Sequence, residues 1–182
     1  MNDRENIRPP AVLAVIEQET VALGFSMASE PQTGSLLRTL AATKPAGVFL
    51  ELGTGTGLST AWILDGMDNA STLTTVDNDA SVQAVARRHL GADPRVTFHT
   101  ADGAAFLETL REQQFDFVFA GPPYALGSID ELPKIIVEKK LIAEDGFFVL
   151  EHTPRNGYEN FDGFSFVRNY GTTLFSFFAP IP

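Results

Sequence analysis

The most informative stretch of this chain is Gly47-Val48-Phe49-Leu50-Glu51-Leu52-Gly53-Thr54-Gly55-Thr56-Gly57-Leu58-Ser59. An apolar run with strand character ends in an acidic residue, and three glycines follow at every second position before a helix-like segment. Glycines permit a positive φ and let the backbone approach a ligand closely. The start of a helix offers unpaired N–H groups. The stretch therefore predicts a strand, a turn and a helix that together form a ligand site.

Three kinds of nucleotide-binding turn could use these glycines. A phosphate loop requires Gly-Lys-Ser/Thr, and the stretch contains no lysine. The dinucleotide fingerprint Gly-x-Gly-x-x-Gly fails in both registers, because Leu58 or Thr60 stands where the third glycine belongs. The pattern Glu-x-Gly-x-Gly-x-Gly is met at every position from Glu51 to Gly57, and it resembles motif I of the class I S-adenosylmethionine-dependent methyltransferases. A purely structural turn from strand to helix is the alternative.

The composition limits the kinds of protein that this chain can be. Its 182 residues fit one methyltransferase-like domain, 1–182, with a helical cap at 1–45 and an α/β core at 46–182. The chain has no cysteine, which excludes disulfides and thiolate metal sites. A net charge of −10 without a basic run disfavours nucleic-acid partners. No signal peptide or membrane span is visible, so we expect a cytoplasmic protein without a membrane partner.

Short apolar runs alternate with helical patterns from residue 47 onward. Strands are predicted at 47–51, 72–76, 95–99, 115–120 and 146–151, and helices at 57–67, 79–90, 103–112 and 128–142, with Asp79 and Ser128 as N-caps. Helices at 11–23 and 35–42 precede them, separated by a loop at 24–34. Extended runs at 164–170 and 172–178 predict a final antiparallel hairpin around Gly171. We therefore expect an α/β, Rossmann-like, doubly wound sheet of seven strands, with five parallel strands, a C-terminal antiparallel hairpin and two N-terminal helices.

Acidic residues stand at the predicted carboxyl ends of the first three strands, where open α/β sheets bind ligands. Asp77 can accept both hydroxyls of a ribose, an arrangement that would also suit a nicotinamide cofactor. Asp102 can accept the amino group of adenine, cap the following helix, or do both. The resemblance to motif I implies that S-adenosylmethionine is held by Met27, Glu51, Gly53, Thr54, Gly55, Gly57, Ser59, Asp77, Asn78, Asp102, Gly103 and Ala120.

The fourth predicted strand runs into Gly121-Pro122-Pro123-Tyr124. These residues resemble motif IV of the amino-group methyltransferases, Asp/Asn-Pro-Pro-Tyr/Phe. In that motif the first side chain and a backbone carbonyl hold the target amine, the aromatic ring stacks on the target ring, and the prolines fix the loop. A rigid turn is the alternative. The resemblance places Gly121, Pro122, Pro123 and Tyr124 at the acceptor, and His152 is a candidate for either a general base or a structural histidine.

The family resemblance has two parts. Residues 24–119 are similar to small O-methyltransferase-type proteins, through Gly24-Phe25-Ser26-Met27-Ala28-Ser29-Glu30 and Thr75-Val76-Asp77-Asn78-Asp79. Residues 121–178 are similar to the bacterial ribosomal-RNA guanine-N2 methyltransferases, through Leu150-Glu151-His152 and Asn169-Tyr170-Gly171-Thr172-Thr173. Catechol-type O-methyltransferases bind a divalent metal through an acid after the fourth strand and an Asp/Asn pair after the fifth. This chain has Gly121 and Glu151-His152 there, so we expect no metal site.

The sequence favours an S-adenosylmethionine-dependent methyltransferase that transfers the methyl group directly to a small-molecule acceptor, which the acidic composition suits. Pro-Pro-Tyr and the C-terminal resemblance favour ribosomal-RNA guanine-N2 instead. A third interpretation is a cofactor-binding protein with impaired catalysis, because Gly121 replaces the motif IV acid, and it predicts that Gly121→Asp restores activity. A nicotinamide dehydrogenase is the least favoured class. The acceptor and the oligomeric state stay open.

Overall fold

A seven-stranded sheet forms the centre of the computed structural model, which describes residues 6–26, 30–111, 114–121, 129–170 and 172–181. The strands are β1 (Val48–Leu52), β2 (Thr72–Asp77), β3 (Val96–Thr100), β4 (Phe115–Ala120), β5 (Ile142–His152), β6 (Phe164–Tyr170) and β7 (Thr173–Phe178). The helices are α1 (Leu13–Ala22), α2 (Pro31–Ala42), α3 (Leu58–Gly66), α4 (Ala80–Leu90), α5 (Gly103–Thr109) and α6 (Glu131–Glu138).

The strand order is β3-β2-β1-β4-β5-β7-β6. Strands β1 to β5 pair in parallel, and β7 lies between β5 and β6, antiparallel to both. This arrangement confirms the predicted fold class, including the C-terminal hairpin. The order reverses between β1 and β4, so the carboxyl ends of these two strands flank the crevice where ligands of such sheets bind.

Helices cover both faces of the sheet, and alternate residues of each strand pack into one layer or the other. Phe49 of β1 and Phe117 of β4 pack with residues of α1 to α4. Leu50 of β1 and Val118 of β4 pack on the opposite face with residues of α5 and α6. Because both faces are buried, the central strands read as nearly continuous apolar runs, which is why their positions were predictable from the sequence.

Helix α2 begins at Pro31, four residues earlier than predicted. Pro31 occupies the first turn, where its missing N–H costs no hydrogen bond. Gly34 was interpreted as a loop residue, but it lies inside the helix against Trp62 of α3. A methyl group on Gly34 would lie 2.2 Å from the Trp62 ring. This glycine is required by close packing between two helices, and the prediction of a loop there was wrong.

Helix α6 ends at Glu138 and β5 begins at Ile142, so the predicted helix to residue 142 was too long. The break occurs at Lys140, whose φ of +53° is incompatible with a continuing helix. Helix α5 also ends earlier than predicted, at Thr109, because the backbone of Leu110 is extended. The predicted N-cap Ser128 and the hairpin residue Gly171 lie outside the described residues.

The N-cap prediction for Asp79 is confirmed, because its carboxylate accepts hydrogen bonds from the Ser81 and Val82 amides. In the described part of the chain, no helix combines the length and the apolar character needed to cross a bilayer. The division into a helical cap and an α/β core of one domain stays a prediction of the sequence.

Candidate functional site

The three glycines of the turn between β1 and α3 all adopt a positive φ, at 101° for Gly53, 53° for Gly55 and 97° for Gly57. Such angles are strained for residues with a Cβ. Space adds a second requirement at Gly57, where a methyl group would lie 2.7 Å from the Ala86 Cβ in α4. At Gly55 a methyl group would lie 3.2 Å from the ring of Phe25, in the segment after α1. The repeated glycines thus satisfy both the backbone path of the turn and its packing.

Glu51, at the end of β1, stabilises the turn between β1 and α3 from the buried side. Its side chain is fully buried and accepts hydrogen bonds from Ser59 Oγ at 2.5 Å, Thr60 Oγ1 at 2.6 Å and Thr75 Oγ1 at 2.7 Å. These bonds join β1 to the first turn of α3 and to β2. Burial raises the pKa of Glu51 to about 7, and the three hydroxyl donors oppose that rise. Glu51 and Ser59, both predicted to contact a cofactor, are therefore engaged with each other, and their contact with a ligand stays a prediction.

A buried polar network continues from Glu51 to α4 and β3. Thr54 Oγ1 lies 2.6 Å from Thr75 Oγ1, and Gln83 Nε2 donates to Thr54 Oγ1 at 3.1 Å. Gln83 Nε2 also donates to the His99 carbonyl, and its Oε1 accepts from Thr100 Oγ1 at 2.9 Å. Buried polar groups need partners of this kind. Gln83 was missed by the sequence analysis, because a glutamine in an amphipathic helix is more often at the surface.

Asp77 closes the turn from the end of β2. Its Oδ2 accepts from the Gly55 amide at 2.7 Å and its Oδ1 accepts from the Asp79 amide at 2.9 Å. The side chain is half-buried, whereas the next residue, Asn78, is exposed. An ionised carboxylate offers about four acceptor positions. After two backbone N–H groups are accommodated, each oxygen of Asp77 retains room for one further donor, which is the requirement for holding a diol.

Asp102 follows β3, and its carboxylate accepts from the Ala105 amide at 2.9 Å. This contact confirms its predicted role as the N-cap of α5. The side chain is exposed, and the next residue, Gly103, lies close to the end of β1, since a methyl group there would be 3.9 Å from the Leu52 Cβ. The fold therefore places the start of α5 beside the end of β1, and the predicted contact of Asp102 with adenine remains untested.

Gly121 lies directly after β4 and is half-buried. Its amide donates to the Leu52 carbonyl at 3.0 Å, which fixes it beside the glycine turn. A methyl group on Gly121 would lie 3.3 Å from Glu151 Oε2 and 3.1 Å from the Phe119 ring. The preceding residue, Ala120, is fully buried. Glu151 at the end of β5 is 8% exposed, and the sequence analysis did not place it in the site.

His152 is 1% exposed, and both of its ring nitrogens have partners. Nδ1 lies 3.0 Å from the Thr153 carbonyl and therefore donates to it, and Nε2 lies 2.8 Å from Ser176 Oγ. The imidazole packs edge-on against Tyr158, on the opposite face of the sheet from Glu151. Burial lowers the pKa of His152. These contacts match the structural alternative, and a role as general base stays untested.

The other histidines are separate from this site. His89 Nε2 lies 2.8 Å from Glu19 Oε1, and the ring of His99 packs against Phe106. Within the described ranges, no cluster of three or more His, Cys, Asp or Glu residues could hold a metal ion. The predicted site residues Met27, Pro122, Pro123 and Tyr124 lie outside the described residues.

A family model described as "Methyltransferase domain" matches residues 50–121, which run from β1 to the residue after β4. A protein named "Putative O-methyltransferase" from Mycobacterium sp. (strain JLS) is 28% identical over 152 residues, covering 81% of this chain and 66% of that protein. One of the same name from Mycolicibacterium vanbaalenii is 31% identical over 118 residues, covering 63% of this chain and 52% of the relative. The match to these relatives thus covers less than two thirds of their length.

Solved structures share the fold across nearly the whole chain. An O-methyltransferase of tomaymycin synthesis from Streptomyces achromogenes, crystallised with S-adenosylmethionine, has a TM-score of 0.78 at 20% identity and covers 96% of this chain and 92% of its own. A protein described as a "putative O-methyltransferase" from Klebsiella pneumoniae has a TM-score of 0.79 at 19% identity and covers 98% and 94%. At these identities the likeness establishes the fold.

Proposed function

We propose that the chain is a class I S-adenosylmethionine-dependent methyltransferase and that it transfers the methyl group of this cofactor directly to a small-molecule acceptor. One observation supports this most strongly. The Glu-x-Gly-x-Gly-x-Gly turn folds with three positive-φ glycines, and its central amide is hydrogen-bonded to the Asp77 carboxylate. The names of the relatives add support for methyl transfer to oxygen.

The residues at the carboxyl ends of the strands fit the chemical groups of the cofactor. We propose that the glycine turn holds the methionine portion, where backbone N–H groups at the start of α3 suit a carboxylate. Asp77, with acceptor capacity left on both oxygens, suits the two ribose hydroxyls. Asp102, exposed at the end of β3, suits the adenine amino group. When bound, S-adenosylmethionine supplies a methyl group made electrophilic by its positively charged sulfur.

The protein's own contribution to such a transfer is positioning and the exclusion of water. The buried network from Glu51 through Thr75 and Thr54 to Gln83 holds the turn rigid, because every member has at least two partners. A turn that is fixed before the ligand arrives loses less conformational entropy on binding. We expect this network to set cofactor affinity without contacting the acceptor.

A small-molecule acceptor is the favoured substrate class. The net charge of −10 opposes the electrostatic attraction on which RNA binding depends. The guanine-N2 alternative rests on residues 121–124 and on the C-terminal resemblance at 150–152 and 169–173, and the alternative of impaired catalysis rests on Gly121. Of residues 121–124, only Gly121 is described. A cytoplasmic location is proposed from the sequence, in which no apolar stretch reaches membrane-spanning length.

The test is methyl transfer from methyl-labelled S-adenosylmethionine to a panel of small phenols, alcohols and amines, with ribosomal RNA as a separate arm. We expect label in at least one small molecule and none in RNA at physiological salt. Label in RNA guanine alone would replace the proposed acceptor class. Absence of cofactor binding by calorimetry would overturn the methyltransferase assignment as a whole.

A further inference from the structure

Gly121, which stands where motif IV has an acid, lies next to the carboxylate of Glu151. A methyl group on Gly121 would lie 3.3 Å from Glu151 Oε2. We propose that Glu151 supplies the acceptor-binding carboxylate of this site, from β5 instead of from the end of β4. This inference rests on the proposed function and identifies the residue that would receive the acceptor's proton.

The sheet register explains why Glu151 can take this place. Strands β4 and β5 are parallel neighbours with Ala120 opposite Leu150, so the next residues along each strand, Gly121 and Glu151, are also adjacent. Phe119 and Val149, two residues earlier on each strand, pack in the same core layer. Alternation along the strands therefore directs the Cβ position of Gly121 and the Glu151 side chain to one face. That face is the one on which Glu51 meets α3.

The same closeness explains the glycine. An aspartate at position 121 would place two carboxylates within a few ångströms of each other, and like charges at that distance disfavour the ionisation of both. Glycine adds no side-chain atom at the position that faces Glu151 Oε2. Gly121 is therefore an adaptation to the carboxylate on β5, and the expectation that Gly121→Asp restores a lost function does not follow from this geometry.

Other groups at this edge of the sheet are less suited to the acceptor. Glu51 is fully buried. His152 lies on the opposite face of the sheet from the Cβ position of Gly121. Glu151 is 8% exposed, and β4 lies between its strand and β1. At about 4.8 Å per strand, this separates it from the glycine turn by roughly 10 Å.

The acceptor's oxygen or nitrogen uses its lone pair to form a bond to the methyl carbon. The carbon–sulfur bond breaks, and its electron pair remains on sulfur, which becomes neutral. The Glu151 carboxylate accepts the proton that the acceptor loses. General-base assistance of this kind contributes about 10²–10⁴-fold in rate.

The experiment compares the wild type with Glu151→Gln, Gly121→Asp and the double variant Gly121→Asp/Glu151→Gln. Single-turnover transfer is measured on phenol, catechol and aniline as probes, S-adenosylhomocysteine affinity by calorimetry, and folding by thermal unfolding. We expect Glu151→Gln to lower the transfer rate about 100-fold while the cofactor affinity changes less than about threefold. The double variant, with its carboxylate moved to position 121, should regain about tenfold over Glu151→Gln.

A transfer rate of Glu151→Gln equal to that of the wild type overturns the proposal. So does a Glu151→Gln variant that loses cofactor affinity but not transfer rate. A double variant that is no faster than Glu151→Gln overturns it as well. If Glu151→Gln does not fold, Gly121→Ala decides, because its methyl group would lie 3.3 Å from Glu151 Oε2 and crowd that carboxylate. We then expect about tenfold slower transfer with unchanged cofactor affinity, and an unchanged rate contradicts the proposal. No transfer by the wild type to any probe also overturns it, whereas absent cofactor binding would instead overturn the proposed function.

Discussion

Glu51 illustrates how one buried carboxylate can organise a ligand turn. Three hydroxyls from β2 and α3 converge on it, and no solvent reaches it. Burial raises the pKa of Glu51 to about 7. The folded protein therefore holds this proton more tightly than the unfolded chain does. The contribution of Glu51 to stability is fully present below its unfolded pKa and is lost as the pH rises through about 7.

Glu51→Gln should remove this pH dependence, because glutamine keeps the shape of the side chain and does not titrate. We expect the free energy of unfolding of the wild type, relative to the variant, to fall by about 2 kcal/mol between about pH 5 and about pH 7.5. Urea unfolding of both proteins at several pH values measures this difference. Parallel stability curves would show that Glu51 does not titrate in this range in the folded state.

Asp77→Ala should weaken the binding of S-adenosylhomocysteine by about 1.5–3 kcal/mol, the scale of hydrogen bonds to a charged group. The variant would lose affinity for two reasons: the contacts of Asp77 with the ribose are removed, and the Gly55 amide loses the acceptor that holds the glycine turn in place. Asp79→Ala is the matched control, since Asp79 caps α4 two residues away. It should cost about 1 kcal/mol of stability and leave affinity unchanged. Equal affinity for Asp77→Ala and the wild type would exclude Asp77 as the ribose ligand.

At the scale of elements, the turn between β1 and α3 depends on the packing of α4 against it. Gly57 combines a φ of 97° with the contact to Ala86, whereas exposed Gly24 has a φ of 67° and no neighbouring atom within 4 Å of a Cβ position. Gly24→Ala should cost about 1 kcal/mol of stability from backbone strain alone. Gly57→Ala should cost about 2–4 kcal/mol, because overpacking adds to the strain.

Chemical denaturation of both variants measures this contrast. Similar losses at the two positions would mean that α4 moves away from the turn at little cost. In that case the rigidity attributed to the glycine turn would not come from helix packing.

Element boundaries show what local pattern can and cannot predict. The buried strands were predictable, because sheet faces covered on both sides demand continuous apolar runs. The end of α6 was not, because the decisive feature is the positive φ of Lys140, a residue type that carries no such signal. The start of α2 was not predictable either, because Gly34 suggests a turn in the sequence. In the structure this glycine allows close packing against Trp62. Tertiary packing overrode the local signal in that case.

The whole molecule assembles its site from residues far apart in sequence. Motif I and the acids at the strand ends were predictable, because the carboxyl ends of parallel strands always meet at one edge. The contact between Gly121 and Glu151 was not, because it depends on the register of β4 against β5. The buried role of Gln83 was also hidden, since it requires the neighbouring strand end to be in place.

Calorimetric titration of the purified protein with S-adenosylmethionine, S-adenosylhomocysteine and NAD tests the central claim most directly. The glycine turn closed by Asp77 predicts saturable one-to-one binding of the first two ligands and no response to NAD. Saturable binding of NAD, with no response to either sulfur-containing ligand, would contradict the assignment.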